Sequence, residues 1–154
     1  VNEMLTPTLE FVFEIRADVD APMRIGRSVG EELHFTPITG GVVAGPRLNG
    51  EVLEGGGDWW VGRGHLCQLD ARYLLRADDG AVIDVVNRGY WRPEPDAEAR
   101  VLAGEPVSEA ELYYRTAFTF QTDAIAHRWL SESQFIGLAR AEGDAVCIRV
   151  FRIE

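Results

Sequence analysis

Hydrophobic and polar residues alternate along most of this chain with a period of two. Leu9, Phe11, Phe13 and Ile15 interleave with Glu10, Val12, Glu14 and Arg16. Successive side chains of an extended chain point to opposite faces, so this spacing predicts a strand with one buried face. Similar short runs recur at 33–39, 40–44, 50–54, 58–62, 66–76, 81–88, 112–121 and 145–153. Glycines 40, 41, 45, 50 and 55–57 crowd one stretch of the first half, supplying the backbone freedom that bulges and corners require. Asp78-Asp79-Gly80 and Glu142-Gly143-Asp144 read as hairpin turns. Many short antiparallel strands at such spacing predict an all-β barrel or sandwich.

Two segments break the alternation. Arg92 to Glu111 is polar and carries Pro93, Pro95 and Pro106. It reads as a long loop with a helical turn around Ala97 to Leu102, of the length that lids and binding loops use. Thr122 to Ser133 opens with capping residues Thr122 and Asp123 and places Ile125, Ala126, Trp129 and Leu130 at helical spacing. It predicts one short helix closing an end of the barrel, with His127 exposed. No internal repeat is visible, and 154 residues are expected to form one domain, 1–154.

Composition narrows the chemistry. All fifteen cationic residues are arginine and twenty-five are acidic, giving a net charge of −10. Without lysine the chain has no Schiff-base residue, no phosphate-binding P-loop and no lysine base. The acidic balance argues against a nucleic-acid partner. Neither a leader-like segment nor a run approaching the ~18 apolar residues of a membrane span is visible, so a cytoplasmic protein with no membrane partner is expected. Cys67 and Cys147 lie far apart and are expected to be reduced. His34, His65 and His127 share no ligand spacing, so no metal is expected. Gly26-Arg27-Ser28-Val29-Gly30 matches the G-x-S-x-G pattern, but a nucleophile elbow needs a following helix, and Leu33 to Thr39 reads as a strand. No dinucleotide fingerprint occurs, and no cofactor is expected.

Gly40-Gly41 through Gly45-Pro46, Gly50, and Gly55-Gly56-Gly57-Asp58-Trp59 form a linked set of motifs. It continues through Leu69-Asp70-Ala71-Arg72-Tyr73, Asp79-Gly80-Ala81, Gly89, Tyr113-Tyr114-Arg115-Thr116 and Trp129-Leu130. The set resembles the domain of unknown function 3237 family across nearly the whole chain. The resemblance implies an antiparallel lipocalin-like or allene oxide cyclase-like β-barrel with one short helix. It implies no particular reaction.

Alternate residues of a barrel strand face the lumen, so parity decides which side chains share a cavity. In 69–76, Leu69, Ala71, Tyr73 and Leu75 share one face, and Asp70, Arg72, Leu74 and Arg76 the other. Periodicity leaves open which face is inward. If Asp70 and Arg72 are inside, a carboxylate and a guanidinium stand side by side where they can move a proton and hold an anion. The alternative is a structural ion pair along a barrel seam. Asp58, beside Trp59 and Trp60, is either an acid/base group with a raised pKa or a turn residue. Trp59 and Trp60 offer an aromatic wall for a flat ligand or serve as core. Tyr114 is a candidate oxyanion donor, Arg47 and Arg115 are candidate anion clamps, and His65 is the most credible base among the histidines. Asp58, Asp70, Arg72 and Tyr114 are therefore the expected catalytic set, with Trp59, Trp60, Arg47, Tyr73, Arg115 and His65 expected to bind ligand. Since lysine is absent, a fixed charge holding an anion is expected from Arg47, Arg63, Arg72 or Arg115.

These features fit a cofactor-independent isomerase, cyclase or lyase acting on a small apolar carbonyl or aromatic compound. The rivals are a non-catalytic carrier or sensor, and an interaction module with a filled barrel. A homo-oligomer, a dimer first, is expected because symmetric dimers are the commonest soluble assemblies.

Overall fold

The computed structural model describes residues 2–154, the side chains of Ser28 and Pro93 excepted. Ten antiparallel strands form one sheet: β1 (Leu9–Val19), β2 (Met23–Ser28), β3 (Glu31–Ala44), β4 (Gly50–Val52), β5 (Gly56–Arg63), β6 (Leu66–Ala77), β7 (Val82–Pro93), β8 (Leu112–Gln121), β9 (Phe135–Glu142) and β10 (Ala145–Ile153). Two short helices, α1 (Pro95–Leu102) and α2 (Arg128–Ser131), interrupt them. The sheet runs β1-β10-β9-β8-β7-β6 to β3, and β3 pairs back onto β1. β4 and β5 lie end to end between β6 and β3, so the closed barrel has eight strand positions. β2 pairs with the first part of β3, beyond the stretch that β1 occupies.

The runs expected at 33–39 and 40–44 are one continuous strand, because Gly40 and Gly41 bend β3 without ending it. Gly41, at φ +146°, cannot take a side chain: its Cβ would stand 1.9 Å from the Arg16 carbonyl oxygen on β1. The closure of the barrel depends on that approach. The alternating run 81–88 continues to residue 93, into the segment expected to be loop, and α1 follows at once. Residues 26–30 form the end of β2 and its turn into β3, with no helix after them. The side chain of Ser28, the nucleophile position of the G-x-S-x-G pattern, lies outside the described ones.

Barrel closure leaves two unlike halves. One is filled by aromatic rings: Phe120 stacks on Phe118 at 5.3 Å between centroids and meets Phe13 and Phe135 edge-on at 5.8 and 5.1 Å. The expected helix over 122–133 is instead a 3₁₀ turn at Ile125–His127 and the four residues of α2. It does close this end, because Leu130 is buried and Trp129 packs edge-on against Phe13 and Phe135. His127 is not exposed as expected; its Nε2 lies 2.7 Å from Asp79 Oδ2, pinning this corner to the β6–β7 turn. The other half is hollow, and α1 lies at its mouth, with Val101 and Leu102 lining the cavity. Both cysteines are free thiols. Among the described residues, no helix is long and apolar enough to cross a membrane.

Candidate functional site

The hollow half encloses a cavity of about 340 Å³. Its apolar wall comes from Ala17 and Val19 on β1, Ile38 on β3 and Val146 and Ile148 on β10. Its polar wall comes from Asp58 on β5, Tyr73 on β6, Asn87 and Trp91 on β7, and Tyr114 and Thr116 on β8.

Strand register fixes the relative heights of these groups. Thr36 lies opposite Asp58, Asp58 opposite Ala71, and Ala71 opposite Asn87. Asp58 and Asn87 are therefore level, two strands and roughly 10 Å of backbone apart, with only the methyl group of Ala71 between them. Trp91 and Tyr114 are paired nearer the mouth, their ring centroids 6.3 Å apart. Tyr73 lies deeper, opposite Val85.

Asp58 owes its position to a gap in the β5–β6 ladder. Pairing runs through Gly57–Arg72 and Asp58–Ala71 and resumes only at Val61–Gln68. Within the gap the amide of Asp70 donates to Asp58 Oδ1 at 2.9 Å. That bond fixes one carboxyl oxygen and leaves Oδ2 for the lumen. Enclosure by the barrel, reinforced by the Asp70 charge and opposed by the Asp70 amide, raises the Asp58 pKa to about 6. The carboxyl can thus hold or release a proton near neutral pH. Burial, together with the Asp58 charge, pushes the Tyr73 and Tyr114 hydroxyls far above the ordinary phenol range. Both remain neutral donors.

Four atoms of this wall are buried without a hydrogen-bond partner: Tyr73 Oη, Asn87 Oδ1, Trp91 Nε1 and Thr116 Oγ1. Tyr73 and Asn87 are each 3% exposed. A buried polar atom left unpaired costs on the order of 1–3 kcal/mol, and four around one cavity suit a ligand that supplies their partners. Trp60 also lines the lumen, but its Nε1 is already given to Thr36 Oγ1 at 3.0 Å, and its ring stacks on His34 at 4.0 Å.

The structure divides the expected site residues into two groups. Asp58, Trp60, Tyr73 and Tyr114 come together in the lumen. Asp70 and Arg72 point outward, because the apolar phase of β6 is the odd-numbered one. Asp70 pairs with Arg88 at 3.0 Å and Arg72 with Asp84 at 3.1 Å. Trp59 is outside as well, 44% exposed and packed on Phe35. His65 is exposed in the β5–β6 turn. No arginine is among the residues that line the cavity. Arg47 pairs with Glu10 and covers the ring of Trp129 at the filled end. Arg63 pairs with Glu31, and Arg115 donates to the carbonyls of Leu112 and Tyr114. An arginine clamp for an anion is not built into this barrel. Sequence reasoning did not single out Thr36, Asn87, Trp91 or Thr116. Asn87 carries a readable signal, since it occupies the buried phase set by Ile83 and Val85, where a polar residue is out of place.

The family model described as "Protein of unknown function (DUF3237)" matches residues 7–153. A UPF0311 protein of Rhodopseudomonas palustris is 37% identical over 97% of this chain and 99% of its own length. The crystal structure of a conserved protein of unknown function from R. palustris superimposes with a TM-score of 0.89 at 31% identity, covering 99% of this chain and 100% of that one. The hydroalkoxylation enzyme phnH of Penicillium herquei is 31% identical over 77 residues, 50% of this chain and 52% of that protein. The crystal structure of an enzyme from P. herquei shares the fold, with a TM-score of 0.75 at 23% identity over the full length of both chains.

Proposed function

The chain belongs to the DUF3237 family, and from that premise we propose that it is a cofactor-independent acid/base enzyme acting on a small uncharged molecule held in the barrel. Asp58 is the proton-transferring group. The observation that carries this reading is a carboxyl with a pKa of about 6 in a cavity where four neutral polar atoms are buried without partners. A carrier needs the cavity but has no use for a carboxyl poised near neutrality, which costs stability. The reaction named for the P. herquei relative fits the same equipment. Hydroalkoxylation adds an O–H across a carbon–carbon double bond, so one proton leaves oxygen and one arrives at carbon, without redox change. In this reading Asp58 takes the first and, once protonated, returns it to the carbon, while the hydroxyls of Tyr73 and Tyr114 stabilise charge developing on a carbonyl or enol oxygen.

The test needs no knowledge of the natural substrate. 2-Tetralone has acidic protons beside a carbonyl, and their exchange in deuterium oxide can be followed by NMR. The protein is expected to accelerate that exchange, and Asp58→Asn to lower the acceleration by about 10²-fold or more. The rate should rise with pH and level off above about 6, as the carboxylate forms. Binding of 2-tetralone without any acceleration would leave the carrier as the better reading.

A further inference from the structure

The donors and acceptors of the lumen specify the ligand more narrowly than its volume does. We infer that the natural ligand is an uncharged hydroxy-carbonyl compound, its carbonyl oxygen set against Trp91 near the mouth, its hydroxyl against Asp58, and a bare hydrocarbon edge against β1 and β10. This inference rests on the acid/base reading for the role of Asp58, but its evidence is the pattern of unpaired atoms.

Trp91 Nε1 only donates, so its partner is an acceptor on the ligand. The hydroxyls of Tyr73 and Thr116 lie on the same wall and reinforce that demand for acceptor oxygen. Asp58 is different, because once ionised it only accepts, and Oδ1 is already engaged with the Asp70 amide. Its free oxygen needs a ligand O–H. Asn87, level with Asp58 across Ala71, offers both a donor and an acceptor and can serve either function.

Charge excludes the commoner alternatives. No cation is among the described residues that line the cavity, and the group there that ionises near neutral pH is itself a carboxyl. A carboxylate or phosphate ligand would enter a poorly hydrated space beside a like charge, at a large desolvation cost. The opposite wall, from Ala17 and Val19 to Val146 and Ile148, provides no hydrogen-bonding side chain. A sugar-like molecule, polar on every edge, would leave its hydroxyls unpaired there.

Four naphthalene compounds of one shape test the pattern by isothermal titration calorimetry. They are 6-hydroxy-2-acetylnaphthalene, 2-acetylnaphthalene, 2-naphthol and 6-hydroxy-2-naphthoate. The hydroxy-ketone should bind roughly five- to tenfold more tightly than either monofunctional compound, the gain of one well-made hydrogen bond. The naphthoate should bind at least roughly tenfold more weakly than the hydroxy-ketone at about pH 8, and the gap should narrow towards about pH 5 as Asp58 is neutralised. Trp91→Phe should weaken the two ketones by roughly fivefold and leave 2-naphthol unchanged. Equal or tighter binding of the naphthoate, or no difference between the hydroxy-ketone and the monofunctional compounds, overturns the inference. So does an equal loss for all four compounds in a folded Trp91→Phe protein. The wild-type series stands even if that variant does not fold. Because affinity alone is read, the inference fails separately from the catalytic reading: the expected ranking without 2-tetralone exchange overturns only the latter.

Discussion

Asp58 does two jobs that pull in opposite directions. Its Oδ1 completes a gap in the β5–β6 ladder, which favours the fold, while enclosure of its charge opposes it. The net effect is a carboxyl that binds its proton more tightly in the folded state than in the unfolded chain. Between the ordinary value of 3.8 and about 6, the folded state holds more protons than the unfolded one. The stability associated with this group is therefore greatest in acid and falls as pH rises through that window. Asp58→Asn keeps a carbonyl oxygen for the Asp70 amide and removes the charge. It should stabilise the protein at pH above about 7 by up to ~3 kcal/mol, with the gain vanishing towards about pH 4. Denaturant unfolding of the two proteins across that range checks it. Arg72→Ala, by contrast, removes an exposed pair with Asp84; it should change stability by less than about 1 kcal/mol and leave 2-tetralone exchange unaltered.

At the level of elements, α1 and the loop after it behave as a separate unit. Ala97, Val107 and Leu112 form their own small core, joined to the barrel through Tyr114. Glu111 holds the loop in shape, accepting from the Ser108 amide at 2.9 Å, from the Ser108 hydroxyl at 3.1 Å and from Arg100. These bonds pull the Glu111 pKa down to about 2. A depressed carboxyl stabilises above its ordinary value of 4.5 and loses that contribution as pH falls towards about 2. The half-buried thiol of Cys67 lies close enough to α1 for Glu98 to help raise its pKa. Glu111→Gln should loosen the segment, speeding hydrogen exchange of residues 95–111 and labelling of Cys67 several-fold while barely changing the melting temperature. Lowering the pH from 4.5 towards about 2 should progressively do the same to the native protein, as the contribution of the Glu111 carboxylate is lost.

These elements also show where periodicity informs and where it does not. β6 and β8 alternate cleanly because one face meets the core and the other meets water. β9 went unread because its inward residues include Gly137, Ala139 and Ala141, while Ile136 and Leu138 point outward. Its inner face has to be small: a Cβ on Gly137 would lie 2.5 Å from Thr116 Oγ1 and 2.7 Å from the Phe118 ring. Size selection of that kind erases the polar–apolar contrast on which a strand is recognised. The site was legible to the same extent. Asp58, Trp60, Tyr73 and Tyr114 stand out as residue types, but parity alone could not choose between the faces of β6. The bond that holds Arg47 outside the lumen joins it to Glu10, which no local pattern links to it, while Arg115 lies on the outward phase of β8. Antiparallel strands, in contrast, followed from the alternation, the choice of barrel over sandwich from the family resemblance, and the free thiols from the buried habit of unpaired cysteine.

Across the whole molecule, charge and space are segregated. The arginines form pairs and chains on the outer surface, as in Glu14–Arg140–Glu109–Arg149 and Arg47–Glu10–Arg152–Glu154, while Asp58 supplies the one carboxyl among the described residues that line the cavity. The net charge of −10 thus belongs to the exterior and says little about the ligand. The interior separates stability from binding along the barrel axis, since rings fill one half and polar atoms without partners surround the void in the other. Opposite substitutions in the two halves should therefore have opposite signatures. Ala71→Phe places a ring between Asp58 and Asn87, in space that is already empty. It should reduce affinity for 6-hydroxy-2-acetylnaphthalene by roughly tenfold or more while changing stability by less than about 1.5 kcal/mol. Phe118→Ala removes a ring 3% exposed and stacked on Phe120. It should cost about 3–5 kcal/mol and lower Tm by roughly 10 °C, with affinity at low temperature within about threefold of wild type. Thermal melts and calorimetry on the same two proteins decide it, because a barrel whose halves were energetically one core would lose both properties in both variants.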